Sequence, residues 1–168
     1  MTAFDEAWIL TKMPYHGTTS DRLPLIMSEG LKPYSAEESR YAGEETTNNN
    51  YANQKRVFST TDRDEALSFA ILALANHKRK TDWKPGGKMR YNKNDPRPVV
   101  LHFPDELTEK PFTNDKWRVG ENWRVSQETI PPEVIDMDFD GKVDLSDNPL
   151  WGAYYSRLKE KFKGDIHR

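Results

Sequence analysis

The sequence predicts an α+β domain, and three observations carry that prediction. Apolar stretches of strand length recur at 56–60, 98–103, 123–126 and from Val134 onward, each bounded by Pro, Asp or Thr. A helix-length stretch from Ala66 to Ala75 is apolar at every position but Ser68. The 168 residues contain no repeat and no long low-complexity tract, so one domain is expected, long enough to bury a core.

In chain order, Thr2 caps a short helix through about Lys12, with Phe4, Ala7, Trp8 and Leu10 to pack, and Met13-Pro14 stops it. Pro14-Tyr15-His16-Gly17-Thr18-Thr19 is a strand that ends in an imidazole, a glycine and two hydroxyls. These are residue types of a small-molecule cradle, because glycine lets the backbone approach a flat ligand closely. Ser20 or Asp21 caps a second helix with Leu23, Ile26 and Met27 at helical spacing, Pro24 in its first turn and Gly30 at its close. Residues 35–55 show neither period and form a long loop.

Arg56 to Thr60 is a strand, and Thr61 or Asp62 caps the core helix from Arg63 to about Lys80. From His77 to Arg97 the chain turns basic and carries Trp83 and Tyr91, a composition suited to phosphates and bases, although such runs are more commonly just solvated. Strands follow at Pro98 to Phe103 and Trp123 to Ser126, then a turn at Ile130-Pro131-Pro132-Glu133. Asp136 to Asp147 matches an EF-hand calcium loop as a string. The same residues also read as two strands joined by a tight hairpin at Asp140-Gly141. Asp147 or Asn148 caps a final helix, with Pro149 in its first turn and a broad apolar face from Leu150 to Phe162.

Composition excludes several function classes. With no cysteine there is no disulfide, thiolate nucleophile or zinc-thiolate site. A net charge of −2 gives no overall field toward nucleic acid or membrane. Met1 to Lys12 does not read as a signal peptide, and no apolar run reaches membrane-spanning length, so a cytoplasmic protein is expected. Eleven prolines and a mean hydropathy of −0.92 imply many loops and a modest core.

Three separated segments together resemble the ADP-ribosyltransferase family, in its branch related to the poly(ADP-ribose) polymerases and diphtheria-type toxins. Tyr15-His16-Gly17-Thr18, followed by a helix ending Glu29-Gly30-Leu31-Lys32-Pro33, resembles its first motif. Val57-Phe58-Ser59-Thr60-Thr61, with Phe69 eleven residues after Phe58, resembles its second. Glu121-Asn122-Trp123-Arg124-Val125 with Ile130-Pro131-Pro132-Glu133-Val134-Ile135 resembles its third. The resemblance spans roughly residues 13 to 136. It implies a split β-sheet core with flanking helices, divided as an N-terminal helix at 1–12, a core at 13–146 and a C-terminal helix at 147–168 of a single domain.

The resemblance further implies an NAD-dependent mono-ADP-ribosyltransferase that cleaves the nicotinamide–ribose bond and passes ADP-ribose to a protein or nucleic-acid acceptor. The stretch from Lys78 to Arg97 tilts the acceptor toward nucleic acid. His16 would bind a ribose hydroxyl, the Gly17 backbone the carboxamide, and Phe58 and Phe69 the nicotinamide ring. Thr18, Ser59 and Thr60 would serve as hydroxyl partners. An acid near the ribose should stabilise the oxocarbenium-like transition state. The family's strand aromatic is usually tyrosine, where this chain has Phe58, and the expected glutamate position holds Asn122, with Glu121 one residue earlier and Glu128 as a fallback. Two further readings stay open: a catalytically silent binding module, suiting a phage or mobile-element product, and an RNA 2′-phosphotransferase, for which Arg22 is the phosphate-holding candidate near His16.

Overall fold

The computed structural model describes residues 14–33, 56–81, 89–110, 122–144 and 150–164. The expected N-terminal helix, the loop at 35–55 and Glu121 lie outside the described residues. Five strands, β1 (Tyr15–Thr19), β2 (Val57–Thr60), β3 (Pro98–His102), β4 (Trp123–Ser126) and β5 (Asp136–Phe139), form one antiparallel sheet in the order β4-β2-β1-β3-β5. Among the described residues the helices are α1 (Leu23–Glu29), α2 (Arg63–Thr81) and α3 (Trp151–Gly164). The chain is therefore α+β.

Strand alternation sorts the side chains onto two faces. Tyr15, Val100 and Phe139 join the cluster beneath α2 and α3, which includes Ala66, Leu67, Ile71, Leu74, Tyr154, Leu158 and Phe162. On the opposite face, Val57 and Leu101 pack with Ile26 and Leu31 from the α1 segment and with Ile130 and Ile135.

Helix α2 lies directly on β1. A Cβ built on Gly17 would stand 2.0 Å from the Ala66 carbonyl oxygen and 2.6 Å from the Ala70 nitrogen, so only glycine permits this approach. Both ends of α2 are anchored by charge. Near its start, Arg63 pairs with buried Asp138, donates to the Phe162 carbonyl and lies over the Phe162 ring at 3.7 Å, tying α3 to the sheet. Near its end, Lys78 forms a buried pair with Asp95.

The structure departs from sequence expectation at several places. Neither Ser20 nor Asp21 caps α1: a 3₁₀ turn occupies Ser20–Arg22, and Ser20 instead exchanges hydrogen bonds with the Arg97 backbone. The core helix is capped by Asp62, whose carboxylate accepts from the Asp64 and Glu65 backbones. β5 starts at Asp136 because Pro132–Val134 closes a 3₁₀ turn. The hairpin at Asp140-Gly141 does not form within the described residues. Gly141, at φ 73°, lies against the Pro98 carbonyl, and residues 141–144 carry no strand. Nor do the acids at its start gather as calcium ligands: Asp138 is committed to Arg63, and Asp140 accepts from the Lys142 backbone. Among the described residues no group of three or more acids or histidines is arranged to hold a metal ion. No described helix is long and apolar enough to cross a membrane.

Replacing Gly17 with alanine drives a methyl into the α2 backbone, which cannot yield as a side chain tip can. We expect Gly17→Ala to lose about 2 kcal/mol or more, in line with overpacking of a tight core, read as a lowered urea midpoint against wild type. An unchanged midpoint would show that α2 does not sit on β1 as described.

Candidate active site

β1 and β2 are neighbours in the sheet, yet they part almost at once. β1 pairs with β3 along its whole length and β2 with β4 along its whole length, but β1 meets β2 in register at one position, Tyr15 against Thr60. Beyond that position the imidazole of His16 occupies the parting, its Nδ1 2.6 Å from the Phe58 carbonyl oxygen. A carbonyl can only accept, so Nδ1 carries the proton. The neutral ring then presents Nε2 as a bare acceptor, and among the described residues the bond to Phe58 is the only hydrogen bond of this ring.

His16 stays neutral over a wide range. Burial pushes its pKa down to about 4, reinforced by the Arg22 charge and opposed by the Phe58 carbonyl. The ring at the parting is thus an acceptor for a hydroxyl at neutral pH, not a cation.

The two sides of the parting differ in chemistry. Alternation along β1 places His16 and Thr18 away from α2, and the pairing of Tyr15 with Thr60 puts Ser59 on that same side. Ser59 is 5% exposed, and its Oγ finds no hydrogen-bond partner. Phe58 falls on the α2 side, as does Trp123, which is paired with Thr60. There Trp123 meets both phenyl rings edge-on, Phe58 at 6.1 Å and Phe69 of α2 at 5.8 Å between centroids. All three rings are half-buried, so the cluster is open to solvent on one side.

The sequence-predicted residues are therefore brought together in two groups. His16 and Ser59 line one side of the parting, with Thr18 buried beside them; Phe58 and Phe69 stand on the other with Trp123. Gly17 lies between, beneath α2. Thr60 is fully buried, and its Oγ1 accepts from the Asp62 backbone, so its hydroxyl is engaged in the turn into α2. Asn122 is exposed at the head of β4, where its carbonyl accepts from the Thr61 N–H at 2.8 Å and from the Thr61 hydroxyl at 3.4 Å. Glu128 is exposed beyond the far end of β4, separated from the parting by the strand's length.

Sequence reasoning overlooked Trp123 as a site residue and Glu65 altogether. Trp123 was legible as the ring adjoining the position expected to be acidic. Glu65 was legible as the residue one helical turn before Phe69. Of the basic stretch, Lys78 is buried in its ion pair and Arg97 donates to the Asp140 carbonyl, so neither is presented to an outside partner. Arg79, Arg90 and Lys93 are exposed. No family model, curated protein or solved structure matches the chain.

The lowered pKa of His16 sets a pH dependence of stability. Its folded value of about 4 lies below the ordinary 6.5, so between these limits the unfolded chain binds more protons. The contribution is present above pH 6.5 and is lost as pH falls toward 4. Urea unfolding at pH 7, 5.5 and 4 should show a decline for wild type that is steeper than for His16→Gln, which has no titrating ring. Parallel declines would contradict a buried, neutral His16.

Proposed function

We propose that the chain is an NAD-dependent mono-ADP-ribosyltransferase, acting in the cytoplasm on a protein or nucleic-acid acceptor. One observation carries this reading: strands β1 and β2 part around a neutral histidine, with a half-buried aromatic cluster on the α2 side of the same gap. A nicotinamide ring needs flat apolar walls, which Phe58, Phe69 and Trp123 supply. A ribose hydroxyl needs an acceptor, and His16 Nε2 is one. Ser59 Oγ is a buried hydroxyl with unspent hydrogen-bonding capacity on the His16 side. The residues present thus fit the ligand in kind, a flat ring on one side and a polar sugar on the other.

In this reading His16 orients the ribose, Gly17 lets α2 and its aromatic close over the site, and the position held by Asn122, with Glu121 before it, aligns the acceptor. Asn122 can orient a hydroxyl but carries no charge to offset a developing oxocarbenium. That residue favours a second reading, a binding module without turnover. The influence of Arg22 on His16 favours a third, in which a phosphate is held beside the ring, as RNA 2′-phosphotransfer requires.

Incubation with NAD separates these readings by nicotinamide release. Wild type should release nicotinamide, and His16→Ala should lose most of that activity while remaining folded. Phe69→Ala should raise KM for NAD about threefold to tenfold, the worth of one aromatic contact. Binding of NAD without release would point to the silent module. Absence of both, by calorimetry and by release, would overturn the proposal.

A further inference from the structure

We infer that Glu65, on α2, supplies the site carboxylate that position 122 lacks, accepting the acceptor's proton and facing the positive charge that develops at the ribose. The inference rests on the transferase reading above. It starts from an unexplained group: Glu65 Oε1 is buried and has no hydrogen-bond partner. A buried carboxylate oxygen without a partner is costly, and native structures rarely keep one without a use.

The ordinary structural use of a glutamate here is closed off. With Asp62 as the N-cap, Glu65 stands at the third helical position, where a glutamate side chain normally reaches back to the N-cap backbone N–H. That N–H is already donated to Thr60 Oγ1 at 3.0 Å. The favourable field of the helix N-terminus remains, but it acts on an exposed carboxylate equally well and gives no reason for burial.

Placement adds the second strand of the argument. Glu65 and Phe69 are one turn apart and share a stripe of α2, next to the stripe of Ala66 and Ala70 that rests on Gly17. Phe69 reaches Trp123 on β4, so this stripe overhangs β2 and β4. Helical side chains lean toward the N-terminus, which takes Glu65 toward the end where Thr61 holds the Asn122 backbone. The orphaned carboxylate and the position where an acid was expected therefore lie at the same end of the aromatic cluster.

The chemistry balances with this single base. The bond between C1′ of the ribose and the nicotinamide nitrogen breaks, its electron pair leaving on nicotinamide. The acceptor's oxygen or nitrogen forms the new bond to C1′, and the proton it sheds passes to Glu65 and then to water. With water as acceptor the products are ADP-ribose, nicotinamide and a proton.

Glu65→Gln tests the assignment alongside wild type and Glu121→Gln. Without ligand, Glu65→Gln should unfold at the wild-type temperature or above it, since the lost charge had no partner. With NAD, its kcat for nicotinamide release should fall about 100-fold or more, the range of a positioned general base, with KM within a few fold of wild type. Release at the wild-type rate by Glu65→Gln, or a loss restricted to Glu121→Gln, would overturn the assignment and leave the transferase reading intact. A clear fall in melting temperature would overturn it by showing a structural role. A wild type with neither NAD binding nor release would remove the transferase reading and this assignment with it.

Discussion

The contact between the α2 backbone and β1 at Gly17 fixes the position of nearly everything else that bears on function. A helix seated on a sheet normally rides on the side chains between them. Here the missing Cβ at Gly17 and the small Ala66 and Ala70 let the helix backbone reach the strand itself. Because α2 is rigid over its length, that one point of approach determines where the neighbouring stripe of Glu65 and Phe69 falls. It falls over β2 and β4, and Phe69 meets Trp123 there.

A single point of contact would leave the helix free to pivot, and the ion pairs at its two ends remove that freedom. Arg63 engages Asp138 of β5 and the end of α3, while Lys78 engages Asp95 of the segment leading into β3. Pairs of this kind contribute modestly to net stability, since the desolvation of both charges offsets much of the attraction. Their geometric effect is larger, because breaking either one would strand a buried charge. α2 is thus held at its start, its middle and its end, and the parting between β1 and β2 lies beside its pinned portion.

Local signals in the sequence located the elements well wherever a single residue type decides the backbone. Gly30 closes α1 with φ 89°, Asp62 caps α2, and the prolines at 131 and 132 end the strand pattern as their missing N–H groups require. What the sequence concealed is pairwise. Lys78 counts as one of eight cations in a basic run until Asp95, seventeen residues on, folds back against it. Asp140-Gly141 has the composition of a hairpin turn, yet Gly141 lies against the Pro98 carbonyl, so the segment leaves β5 across the start of β3. Among the site residues, His16, Phe58 and Phe69 were legible by type and spacing. Their division between two sides of the gap was not, because it depends on the register of Tyr15 with Thr60.

That register also explains why the unsatisfied groups occur where they do. Had β1 and β2 paired along their full lengths, the Phe58 carbonyl would find a backbone donor in β1 and His16 would be one more residue on a sheet face. Once the strands part, the Phe58 carbonyl is satisfied by a side chain instead, and that bond fixes the tautomer which leaves Nε2 bare. The same parting leaves Ser59, across from His16, with a buried hydroxyl and no strand or side chain to bond it. On the α2 side, Thr60 takes the Asp62 N–H and so releases Glu65 from its helix-capping duty. Each orphan follows from a local bonding choice at the one place where the sheet opens. Each carries a desolvation cost of about 1–3 kcal/mol that the chain alone does not offset. A ligand bearing hydroxyls on one side and a flat ring beside a developing positive charge on the other would satisfy them together.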